Sequence, residues 1–129
     1  MSLAVKDVKV FVPAKDFRQS LQFYKALGWQ ANWVADDDGA AELELAGNRF
    51  YLQNYYQQEW ADNFMFHVMV EDATAWYEHV KQLVADGDYD GVRVSKPKKE
   101  DYGSLVTYVW DPCGVLLHFA QPIPGQTAP

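Results

Sequence analysis

Two histidines and one hairpin concentrate the chemistry this sequence can do. The run Tyr108-Val109-Trp110-Asp111-Pro112-Cys113-Gly114-Val115-Leu116-Leu117-His118-Phe119-Ala120-Gln121 carries one apolar segment into Asp-Pro-x-Gly and a second out of it. Proline presets φ for a turn and glycine accepts φ > 0 at its end, so the spacing predicts a hairpin. Strand side chains alternate faces, which puts His118 with Leu116 and Ala120, opposite Leu117 and Phe119. An imidazole among apolar neighbours must find a partner. His67 stands in a similar run, Phe64 to Val70, on one face with Met65 and Met69. A lone strand histidine is more often a hydrogen-bonded core residue than a ligand, but two aimed at one cavity favour a ligand-facing role. His79, between Glu78 and Val80, reads as a solvated helix residue.

Other reactive groups are poorly placed for catalysis. Cys113 is the only cysteine and has no base nearby in sequence, so a nucleophile is not expected. It can form no internal disulfide, which suits a reducing compartment. Asp36-Asp37-Asp38-Gly39 lacks the spaced ligands and closing glutamate of a calcium loop and reads as a hairpin tip. Neither a phosphate-binding glycine loop nor a Gly-x-Ser-x-Gly elbow occurs. A net charge of −7, with no basic run beyond Lys96-Pro97-Lys98-Lys99, argues against nucleic acid. No signal peptide and no membrane-length apolar run is expected, so the cytoplasm is the default location.

The elements that must position these groups follow a repeated order. Val8 to Val12 alternates as a strand with Val8, Val10 and Val12 on one face. Asp16 is placed as an N-cap for a helix whose stripe is Phe17, Ser20, Leu21, Tyr24 and Leu27, with Gly28 as its stop. Strands are then expected at Trp29 to Ala35, Ala40 to Ala46 and Arg49 to Tyr56, joined by short turns. Gln57 to Asn63 reads as a polar connector. The second half repeats the order: strand Phe64 to Val70, helix stripe Ala73, Trp76, Val80, Leu83 and Val84, weak strand Val92 to Ser95, charged loop Pro97 to Gly103, strands Ser104 to Trp110 and Val115 to Ala120. Leu27 and Leu83 each follow an N-cap aspartate, Asp16 and Asp72, by eleven residues.

The 129 residues therefore predict one α+β domain of two βαβββ modules, about 6–60 and 61–121, with a tail at 122–129. Two such units, side by side or exchanged between chains, would form a curved mixed sheet with helices outside and a cavity inside. With the Val-x-Val faces on the helices, the opposite faces place Asp7, Lys9, Phe11, Tyr51, Gln53, Tyr55, Met65, His67, Met69, Leu116, His118 and Ala120 inward. Aromatics make up 16% of the chain. Trp33, Tyr51, Tyr55, Tyr56, Trp60, Tyr102, Tyr108 and Trp110 would rim the cavity, either as core and interface or as a stacking cleft for a flat or cationic ligand.

The closing hairpin and the duplicated module resemble the vicinal-oxygen-chelate superfamily, the glyoxalase, bleomycin-resistance and extradiol-dioxygenase group, over roughly residues 6 to 121. In its metalloenzymes a metal-binding glutamate follows the hairpin glycine by four residues, the position held here by His118. Mapped by that resemblance, the other ligand positions fall on Asp7 or Lys9, on Gln53, and on Met65 with His67 two residues along. The glutamates are missing. The resemblance is thus closest to the branch that binds drugs without a protein-bound metal between two subunits. It implies a homodimer, no cofactor, and a site including Phe11, Trp33, Tyr51, Gln53, Tyr55, His67, Tyr102, Tyr108 and His118. The alternative is a lyase, isomerase or dioxygenase with Zn, Ni, Mn or Fe held by His67, His118 and Asp7. A protein whose cavity is only core is a third reading.

Overall fold

Both predicted N-caps form. In the computed structural model, which describes residues 1–87 and 89–126, Asp16 accepts from the Gln19 amide at 3.1 Å and Asp72 from the Ala75 amide at 2.9 Å. Each bond satisfies a first-turn N–H that a helix leaves unpaired. They open helices α1 (Phe17–Leu27) and α3 (Ala73–Asp86), and Gly28, at φ 131°, ends the first. A short helix α2 (Gln58–Asp62) occupies the expected connector. Among the described residues no helix is long and apolar enough to cross a membrane.

The strands are β1 (Phe11–Pro13), β2 (Gln30–Ala35), β3 (Ala40–Leu45), β4 (Asn48–Gln53), β5 (Met65–Met69), β6 (Arg93–Val94), β7 (Lys98–Glu100), β8 (Ser104–Trp110) and β9 (Leu116–Pro122). They form two sheets of matching topology. The first runs β1-β4-β3-β2; the second runs β5-β9-β8-β6, with β7 also on β8. In each, the strand before the helix pairs parallel with the last strand of its own half, β1 with β4 and β5 with β9, while the remaining neighbours are antiparallel. This is the α+β architecture of two βαβββ units.

Several boundaries shift for identifiable reasons. β1 begins at Phe11, because only Phe11–Pro13 has a register partner on β4; just before it the Val10 carbonyl accepts from the Tyr51 amide. The Val-x-Val face therefore reaches the core only at Val12, which is fully buried, whereas Val8 and Val10 are 78% and 49% exposed. The weak strand narrows to β6, and the charged loop contains β7, since both lie along the β8 edge. Pro122, placed in the tail by sequence, still pairs with Ser104 as the last residue of β9.

One core joins both halves. Phe50 of β4 packs on Phe66 of β5 with ring centroids 5.1 Å apart, and Tyr24 of α1 stands edge-on to both Trp29 and Phe50. The buried Tyr24 hydroxyl donates to Asp111 Oδ2 at 2.6 Å, and Asp111 Oδ1 accepts from the amides of Cys113 and Val115. A carboxylate that caps its own turn thereby ties the second half's hairpin to the first half's helix. Trp76 of α3 stacks on Phe119 at 4.5 Å and 12°.

Candidate functional site

Opposite the helices, each sheet presents a face with polar and aromatic groups. On the first, cross-strand register sets Phe11 beside Tyr51, Tyr51 beside Glu42, and Glu42 beside Trp33. Tyr51 lies 5.4 Å from Phe11 and 5.5 Å from Trp33, ring centroid to centroid. Phe11 and Trp33 remain 50% and 42% exposed, an unusual state for rings that could have packed inward. Glu42 is buried beneath this row at 8% exposure.

Charges surround the aromatic row. Lys9 Nζ lies 2.6 Å from Asp7, 3.5 Å from Glu42 and 5.3 Å from the Tyr51 ring centre. Arg49 lies 3.2 Å from Asp7, and Asn32 donates to both Glu42 and Glu44 at 2.9 and 3.0 Å. The Lys9 hydrogen bond holds the Asp7 carboxyl below its ordinary pKa, and Asp7 in turn raises Lys9. Three carboxylates face two cations, so the face keeps a negative balance over the rings.

The second sheet carries the histidines. His67 and His118 occupy directly paired positions on β5 and β9, with rings 6.1 Å apart, and Tyr108 of β8 stands edge-on to His118 at 4.9 Å. The Tyr108 hydroxyl donates to Glu100 at 2.9 Å and also bonds the Tyr102 side chain. Burial, then those two bonds, raise the Tyr108 pKa. His118 Nε2 is buried without a hydrogen-bond partner. Desolvation, then the nearby His67, lower its pKa, so His118 is neutral near pH 7.

The predicted site residues thus fall into two groups. Phe11, Trp33 and Tyr51 share the first sheet's face; His67, His118, Tyr108 and Tyr102 share the second's. Tyr55 leaves the first row because β4 ends at Gln53, and its ring packs 6.0 Å from Trp60 instead. Gln53 is half-buried, paired in register with Ala40 and Pro13. Asp7 is engaged by Lys9 and Arg49 rather than by either histidine. Among the described residues no three His, Cys, Asp or Glu side chains group closely enough to hold a metal ion. With Gln53 and His118 at the glutamate positions and Met65 at a further ligand position, the donor set does not fit the hard divalent metal of the superfamily's enzymes. Glu42, Glu44 and Asn32 were not singled out by sequence, although period-two alternation along β3 places both glutamates opposite Tyr51 and Arg49. Between the sheets runs a cleft of about 410 Å³ floored by Trp29, Phe50, Phe66 and Val68, with Arg49 and His67 also in its lining.

Tandem βαβββ sheets, each with its helix on one side and a polar, aromatic face on the other, define the class of fold. The chain belongs to the Glyoxalase/Bleomycin resistance protein/Dioxygenase superfamily, whose family model matches residues 8–119. Solved structures of similar fold include a bleomycin-binding protein complexed with bleomycin, 19% identical, with TM-score 0.71 over 91% of this chain and 98% of that one. The bleomycin-binding protein of Streptomyces verticillus, complexed with copper(II)-bleomycin, is 24% identical with TM-score 0.69 over 98% and 99%. A lactoylglutathione lyase from Agrobacterium tumefaciens is 15% identical with TM-score 0.66 over 91% and 94%. No curated protein matches the chain.

Proposed function

We propose that this protein binds a small aromatic, cationic molecule without a protein-bound metal, in a cavity completed by a second copy of the chain. The observation that carries the reading is the exposed row Phe11-Tyr51-Trp33 standing over the buried carboxylate of Glu42. Ring faces attract a flat or cationic ligand, and a half-desolvated carboxylate beneath them adds charge where water screens it least. Bleomycin-binding neighbours of the same fold support small-molecule binding. The donor set described above supports a role that needs no metal.

A homodimer follows from the same surfaces. Phe11, Trp33, Met65 and Met69 are each at least 42% exposed on the two faces, more apolar surface than a monomer gains by showing to water. Facing a partner's second sheet, the aromatic row would gain Gln53 and Tyr55 at one rim and His67, His118, Tyr102 and Tyr108 opposite. The buried, lone Cys113 suits work in the cytoplasm.

The test is a tryptophan-fluorescence titration of EDTA-treated protein with planar cationic probes, bleomycin among them. Saturable quenching that is lost in Trp33→Ala and weakened at least tenfold in Glu42→Gln is expected. Unchanged affinity in both variants would remove the aromatic row as the site.

A further inference from the structure

The cleft of about 410 Å³ between the sheets stands apart from the aromatic row. Its floor is Trp29, Phe50, Phe66 and Val68. Side chains alternate along β4, so the buried Phe50 and the half-buried Tyr51 leave opposite faces of that strand. The floor therefore belongs to the helix side of the first sheet, and the row Phe11-Tyr51-Trp33 to the other side. Asn48 and Arg49, the exposed first residues of β4, also line the cleft. We propose that this cleft is a second binding site, for a flat apolar monocarboxylate such as an aromatic acid. Its ring lies on the aromatic floor, and its carboxylate replaces Asp7 on the Arg49 guanidinium. This site goes beyond the cationic-ligand reading and does not depend on it.

Three observations converge on it. The first is the floor. Phe50 lies 6.0 Å from Trp29 and 5.1 Å from Phe66, ring centroid to centroid, so the aromatic wall is fixed by its own packing. The cleft volume falls within the range of about 300–1,000 Å³ usual for small-molecule sites. The second is charge. Among the described residues, Arg49 is the one lysine or arginine in the lining, and no aspartate or glutamate stands beside it there. A guanidinium offers a planar fork of donors that matches a carboxylate. The third is the carboxylate that Arg49 already holds. Asp7 Oδ2 lies 3.2 Å from Arg49 Nη2, with the two side chains 37% and 43% exposed.

The exchange leaves no charge stranded. Asp7 belongs to residues 1–10, which precede the first strand, and it keeps Lys9 at 2.6 Å when Arg49 turns to the ligand. Glu44, the register partner of Arg49, is engaged by Asn32 at 3.0 Å and does not line the cleft. The rim is also built in advance. The Asn48 side-chain amide donates to the carbonyls of Leu45 and Ala46 at 3.3 and 3.2 Å, which holds the β3–β4 turn and the two residues it contributes to the lining. Such preorganisation lowers the ordering cost of binding.

The experiment is titration calorimetry of the intact chain with naphthoate and with its neutral isostere naphthamide. The expected result is one naphthoate per chain, bound about tenfold or more tighter than the amide, as a charge-assisted guanidinium–carboxylate pair provides. Arg49→Met should erase that preference. Asp7→Asn should tighten naphthoate severalfold, because the ligand then displaces no resident carboxylate. Trp33→Ala, which removes a ring of the other face, should leave naphthoate affinity unchanged and so separates this site from the cationic one. Arg49 and Asp7 are both surface residues, so their variants keep the fold. Absent binding, equal affinity for acid and amide, a preference that survives Arg49→Met, an Asp7→Asn variant that fails to tighten, or loss of binding in Trp33→Ala would each overturn the proposal.

Discussion

Removing one oxygen atom from the core tests whether the two halves are locked through a buried hydrogen bond. Tyr24→Phe deletes the hydroxyl that donates to Asp111 Oδ2 at 2.6 Å, with both residues fully buried. That length belongs to the charge-assisted class of O–H···O⁻ bonds, and hydrogen bonds to charged groups contribute about 1.5–3 kcal/mol. The ring keeps its packing, so no cavity term is added. With a urea m-value of about 2 kcal/mol/M, a loss near 2 kcal/mol moves the midpoint down by roughly 1 M. The pH dependence has a definite sign. Burial raises the Asp111 pKa against the lowering effect of its bonds, so stability from this carboxyl is greatest below the usual carboxylate value and declines as pH rises through the raised one. Tyr24 helps most when Asp111 is charged, and the penalty of Tyr24→Phe is therefore larger at pH 8 than at pH 4. Urea unfolding followed by tryptophan fluorescence at both pH values measures it. A midpoint within about 0.2 M of the parent at pH 8 would refute the latch.

Three further outcomes follow from single sites. Burial and the neighbouring Asp111 push the Cys113 thiol up to about 12, so it should resist thiol reagents at pH 8 in the native state and react only on unfolding; rapid native labelling would contradict its burial. His118, lowered by desolvation and then by His67, should titrate below its ordinary value in NMR, and His67→Asn should move it upward; stability from its neutral form is present above about pH 6.5 and lost as pH falls through the folded value. Gly39 has φ +64°, and an added Cβ would lie 2.4 Å from the Asn54 Cβ, so Gly39→Ala should cost about 1–3 kcal/mol in denaturant unfolding, whereas a neutral result would mean the hairpin relaxes freely.

How far the sequence reached depended on whether local or cross-strand physics set the answer. The helices were legible because Asp16 and Asp72 cap through their own side chains and the apolar stripes repeat at helical spacing. The closing hairpin was legible because Asp111-Pro112-Cys113-Gly114 has few other conformations. β1 was overextended because Val8 and Val10 alternate like a strand but lack a register partner, and alternation alone cannot reveal that. β7 looked like a loop since Lys98, Lys99 and Glu100 are polar, yet an edge strand with one neighbour tolerates such residues. In the site, alternation put His67 and His118 each on a strand face with its i±2 neighbours, and the β5–β9 register sets them side by side. Alternation could not show that Glu42 sits under Tyr51, because that needs the register of β3 on β4. Nor could it show Asp7 turned to Arg49, a residue 42 positions away.

The central claim is metal-free binding on an aromatic row completed by a second chain, and calorimetry of EDTA-treated protein with a planar cationic ligand tests it most directly. The account predicts saturation at one ligand per chain, unchanged by added Zn or Mn, and lost in Trp33→Ala while the dimer persists in ultracentrifugation. Binding that appears only after a divalent metal is added, or that survives Trp33→Ala intact, would contradict it.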